Sequence, residues 1–125
     1  MWIASKIGFF SFMQKSGCFH VRTRVRRDLE NLNKAAALGE AAGIEKWPEA
    51  DYRYRIRAGA VTLQKVFAAL ESSITYPNFK TEIANTPDQH DKLGAYHQTW
   101  HALARLQDGE ADCPGSGDVG IIPEL

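Results

Sequence analysis

The sequence predicts an α+β fold: a two-layer sandwich with a four-stranded antiparallel sheet from two ββα repeats, followed by C-terminal helices. Two observations lead to it. The stretches HVRTRVRRDLENL (20–32) and DYRYRIRAGAVTL (51–63) superpose at an offset of thirty-one residues. Arg22, Arg24 and Arg26 then fall on Arg53, Arg55 and Arg57, Val25 on Ile56, and Leu32 on Leu63. Each stretch also changes from period-two alternation, the mark of a strand, to the spacing of a helical stripe.

The elements follow in chain order. Trp2 to Gln14 is apolar and aromatic, runs into the turn-forming Lys15-Ser16-Gly17-Cys18, and pairs with the alternating run Phe19 to Arg26 as a hairpin. Asp28 stands where an N-cap is needed, and Leu29, Leu32, Ala36 and Leu38 form the apolar stripe of a first helix that Gly39 and Gly43 stop. Ile44 to Trp47, the turn Pro48–Asp51 and Tyr52 to Arg57 repeat the hairpin. After Gly59, the stripe Val61, Leu63, Val66, Phe67 and Leu70 gives a second helix ending near Ser72. A short helical turn is expected over 78–84. Thr86-Pro87-Asp88-Gln89 reads as a capping box that opens a last helix running to about Gln107, with Leu93, Tyr96, Trp100, Leu103 and Ala104 on its apolar side. Residues 1–107 are thus expected to form one domain. Residues 108–125, rich in glycine and acidic residues, read as a flexible acidic tail.

The net charge is zero, yet residues 1–66 hold twelve Lys and Arg against six Asp and Glu, and residues 67–125 hold three against nine. The two halves therefore present opposite fields, and the acidic tail is a candidate to rest on the basic surface. Two cysteines, Cys18 and Cys113, are too few for a disulfide framework and suggest a reducing cytoplasm. The apolar N-terminal stretch is broken by Lys6 and Lys15, too short to span a bilayer, and reads as a strand. No membrane association is expected.

The chain resembles an uncharacterised family of short bacterial proteins. The resemblance lies in the WIASK…GFF opening, the arginine strand before DLENL, WPEADYRYRIR and YPNFK…TPDQ. It spans about residues 1–107 and implies no established activity.

Function is read first from the arginines. Alternate residues of a strand share a face, so Arg22, Arg24, Arg26, Arg53, Arg55 and Arg57 are expected together on the open face of the sheet, with Tyr52 and Tyr54 opposite. A face of this kind suits self-association into a homo-oligomer or binding of a protein partner. It also suits nucleic acid, for which Phe10, Phe12 or Trp47 would supply stacking. The plainest alternative is a solvated face paired to Glu45, Glu49 and Asp51. No phosphate-binding loop, nucleophile elbow or H-E-x-x-H motif is present, so the expectation is a non-enzymatic protein without a cofactor. A third possibility lies on the last helix, where His90, His97 and His101 share a stripe. His97 and His101 are four apart and could share a metal ion, with Glu71, Asp91 or a partner chain supplying a third ligand, though packing at a helix–helix seam accounts for the stripe better. Cys18 and His20 lie two apart on one strand and lack the convergent geometry of a nucleophile and its base.

Overall fold

A computed structural model describes residues 1–109. Among these described residues, five strands form one antiparallel sheet: β1 (Trp2–Ser5), β2 (Gly8–Lys15), β3 (Cys18–Thr23), β4 (Glu45–Lys46) and β5 (Tyr54–Ala58), in the order β1-β2-β3-β5-β4. Four α-helices accompany them among the described residues: α1 (Arg26–Ala35), α2 (Ala60–Ser72), α3 (Phe79–Ala84) and α4 (Leu93–Asp108). The mixed α/β class agrees with expectation. The four-stranded sheet does not, because the first apolar run is two strands rather than one. The chain reverses at Lys6-Ile7, where the Ser5 hydroxyl accepts hydrogen bonds from the Ile7 and Gly8 amides and donates to the Gly8 carbonyl.

Residues Met1–Leu93 make one compact unit, and Gly94 onward, containing most of α4, belongs to a second. In the first unit, Phe10 and Phe12 of β2, Val21 of β3 and Ile56 of β5 meet Leu29 and Leu32 of α1 and Val66 and Leu70 of α2 in one core. Phe12 stacks on Phe67 at 4.9 Å between ring centres. Phe10 and Phe12 are therefore core residues and unavailable for stacking on bases. The β2–β3 turn places Ser16 and Gly17 at φ 53° and 80°, the two left-handed positions that match the twist of a tight hairpin.

Asp28 does not cap α1. The helix begins at Arg26 with Val25 as its N-cap, and Asp28 sits inside the first turn, almost wholly buried. Its Oδ2 accepts from the Phe9 amide at 3.1 Å, while its Oδ1 accepts from Gln89 Nε2 at 3.0 Å and Lys92 Nζ at 3.0 Å. Gly8 is required beside it: a Cβ there would lie 2.6 Å from Asp28 Cβ. The capping box at Thr86 is likewise absent. Gln89 turns to Asp28 instead of reaching back, residues His90–Lys92 form a 3₁₀ turn, and α4 starts only at Leu93. Asn78 does cap α3, accepting from the Thr81 amide at 2.9 Å.

Helix α1 ends before Gly39. Ala37 adopts φ 58°, with Leu38 N–H donating to Asn33 O at 2.8 Å and Ala37 N–H to Lys34 O at 3.1 Å, the paired bonds of a Schellman ending. An alanine in this left-handed position is strained relative to glycine. Ala37→Gly is expected to raise unfolding stability by about 1 kcal/mol, measured by urea denaturation. Asp28→Ala should lower it by about 3–5 kcal/mol in the same assay, since it strands a partly buried Lys92 together with an amide donor.

Candidate anion-binding face of the sheet

Register decides which side chains share the face opposite the helices. Trp2 pairs with Ser11, Ser11 with Arg22, Arg22 with Arg55, and Arg55 with Glu45, so one row crosses all five strands. Met13, His20 and Arg57 form the adjacent row. Because Val21 and Ile56 face the core, Arg22 and Arg55 cannot.

The arginines do not form the expected flat group of six. Arg22, Arg55 and Arg57 lie on strands. Arg24 follows the end of β3, Arg26 belongs to α1 and pairs with Glu30 at 3.2 Å, and Arg53 precedes β5 and is exposed. Nor is the face open along its length. The segment from Trp47 to Tyr52 covers part of it, tied by Trp47 N–H to Arg53 O at 2.7 Å and by Arg24 Nη1 to Asp51 O at 3.1 Å. Trp47 lies over Arg55, with the guanidinium carbon 3.8 Å from the ring centre. Tyr52 lies against Arg22 and Arg24 at 4.7 and 4.4 Å. Tyr52 is thus on the arginine side, contrary to simple alternation, because β5 begins only at Tyr54 and the period of two does not reach back to it.

Within this cover, polar groups converge. Arg22 Nη2 donates to Ser11 Oγ at 2.7 Å. Arg55 Nη1 lies 3.2 Å from His20 Nδ1; a guanidinium only donates, so Nδ1 accepts and the neutral ring carries its proton on Nε2. Arg55 Nη2 reaches Tyr52 O at 3.5 Å. Arg55 is only 5% exposed, Ser11 1% and His20 4%. Glu45 serves Arg57, accepting at 2.8 Å, and Trp47 Nε1 at 3.0 Å; these two hydrogen bonds hold its carboxyl below the usual range. Asp51 takes part through its backbone, its carboxylate accepting from the Tyr52 amide.

Arg22 and Arg55 remain without an ion-pair partner among the described residues. Both Nε atoms are buried and donate to nothing there. Burial, and then the facing Arg22, push Arg55 below its ordinary pKa. A buried cation is normally matched by a counter-charge; buried Arg55 is not, nor is the part-buried Arg22 opposite it. The arrangement can accept an anion. Sequence alternation finds Arg22, Arg55 and Arg57, and extends to His20 two residues before Arg22, but misses Ser11, Trp2 and the covering Tyr52, which only the strand pairing and the loop bring in.

On α4, His97 and His101 do meet, their Nε2 atoms 3.1 Å apart. No group of three metal-ligating residues exists among the described residues. Cys18 is a free thiol at a hairpin end. The acidic tail beyond Gly109, with Cys113, lies outside the described residues, and no described helix is long and apolar enough to cross a membrane.

No family model, curated protein or solved structure matches the chain.

Burial first, then Arg55, Lys15, Arg57 and Arg22 in turn, holds the His20 pKa below its ordinary 6.5, with Glu45 the acidic group nearby. As pH falls below that value the unfolded chain gains a proton that native His20 refuses, so stability declines. The urea midpoint is expected to fall between about pH 7.5 and 5.5, and to fall less in His20→Gln.

Proposed function

We propose that the protein works by association, with the arginine-bearing face of its sheet as the contact surface for a second copy and for a distinct partner. The observation that carries this reading is the uncompensated pair Arg22 and Arg55, set in one row with Trp2, which is 71% exposed. A buried and a part-buried arginine beside an exposed tryptophan have the composition of an interface centre. Phe9, its ring 6.2 Å from Trp2, extends the apolar part of the same surface. Arg57 is already engaged by Glu45 and serves as rim.

Light scattering should give wild type a mass above that of one chain at micromolar concentration, and Trp2→Glu the mass of one chain. A mass that falls at high salt would assign the contact to the arginines, and one that persists would assign it to the apolar side chains. A wild type that stays a single chain at every concentration and salt would remove self-association.

Single-stranded nucleic acid is the second reading, favoured by Trp47, which the sequence offered, and by two rings it did not, Trp2 and Phe9. Trp2, Phe9 and Trp47 accompany the arginines, the pairing of stacking platform and cation that such proteins use. Arg22→Ala and Arg24→Ala should each weaken binding of a labelled single strand and reduce its salt slope by about 1. Absence of binding at low salt ends this reading. Metal-dependent activity at His97 and His101 ranks third, with two imidazoles to support it.

A further inference from the structure

We propose that the cluster of Ser11, His20, Arg22 and Arg55 beside Trp47 is the seat of a phosphate monoester. This deepens the association reading and rests on it, because it names the group that a partner presents to the arginine face.

Charge is the first argument. Arg22 and Arg55 stand directly opposite each other across β3 and β5, an arrangement that is destabilising for like charges. Neither has a carboxylate within ion-pair distance among the described residues. With His20 neutral, two positive charges await compensation. A carboxylate, or the diester of a nucleic-acid backbone, supplies one negative charge, whereas a phosphate monoester supplies nearly two near neutral pH.

The donors are the second argument. Nε of Arg22 and Nε of Arg55 have no acceptor. The Ser11 hydroxyl accepts from Arg22 and so retains its own hydrogen to give. His20 accepts from Arg55 at Nδ1 and carries its hydrogen on Nε2. These donors, from three strands and three residue types, would fill every lone-pair site of a carboxylate, whereas a tetrahedral group with three terminal oxygens receives them with sites to spare.

Access is the third. The Arg22 side chain is only part-buried and its Nη1 makes no bond to the described residues, so it meets the anion first. The indole of Trp47 covers Arg55 and is itself partly exposed. Rotation of that one side chain uncovers Arg55. Binding is thus coupled to the environment of Trp47.

The test is calorimetric titration of the full chain with inorganic phosphate and with phenyl phosphate at fixed ionic strength, with succinate as the carboxylate control. Trp47 emission is followed in a Trp2→Phe, Trp100→Phe background. Saturable binding of phosphate at one site per chain, with a change in Trp47 emission, is the expected result. Phenyl phosphate binding more tightly assigns the site to an ester, and equal affinity assigns it to the phosphate group itself. Arg22→Lys keeps the charge but loses the planar fork, and should weaken phosphate about tenfold with an unchanged melting curve. Absence of saturable phosphate binding, or succinate binding as tightly, overturns the proposal. Should phosphate fail while Trp2→Glu still abolishes association, the seat falls and the association reading stands.

Discussion

The pairing of β3 with β5 governs both sides of the sheet at once. Val21 opposite Ile56 places two fully apolar side chains under α1 and α2, and the same register sets Arg22 opposite Arg55 on the other side. A slip of one residue would bury the arginines in the core and expose the aliphatic pair. Burial of Val21 and Ile56, each a gain of roughly 1.5–3 kcal/mol, therefore holds the arginines together despite their mutual repulsion. Stabilisation from the core is what permits an unfavourable charge arrangement to persist at the site, a pattern typical of surfaces that bind.

Asp28 ties the other end of this construction. Its carboxylate joins the start of β2, the first turn of α1 and the turn around Gln89, so the helix layer is fixed to the strand that supplies Ser11. Removal of Cβ at Gly8 is what lets the carboxylate come this close. The electrostatics of the two buried charges differ in kind. Asp28 has Lys92 at 3.0 Å and a set of donors, a satisfied structural centre. Arg55 has an aromatic ring, an imidazole nitrogen and a carbonyl, none of them negative.

This contrast also explains what could be read from the sequence. Local patterns were legible: the alternation through Val21 and Ile56, the stripe of α2, the Asn78 turn and the membership of Arg22, Arg55 and Arg57 in one face. Each depends on neighbours a few residues away. What escaped depends on distant partners or on where a strand stops. Asp28 looks like a cap until Gln89 and Lys92, 61 and 64 positions away, are brought to it. Tyr52 looks opposed to the arginines until β5 is seen to begin at Tyr54. The reversal at Lys6-Ile7 carries no proline and rests on a single serine hydroxyl, so one run became two strands and the sheet gained a fifth.

The covering segment from Trp47 to Tyr52 changes the meaning of the arginine repeat. Six solvated guanidinium groups would make a diffuse positive surface, screened by salt and attractive to any polyanion. With Arg26 drawn into α1, Arg57 neutralised by Glu45, and Arg24 resting on Tyr52, the field is concentrated at Arg22 and Arg55. Aromatic faces stabilise these two cations by about 0.5–2 kcal/mol each without neutralising them, so they remain charged, ordered and short of one counter-ion. His20 is kept uncharged by burial and by the cations around it, which spares the site a third repulsive charge while leaving a donor at its edge. A rigid pair of donors in a partly desolvated setting loses little entropy when an anion arrives. On the proposed reading, selectivity follows from the charge and shape of the ligand rather than from the total number of arginines in the chain.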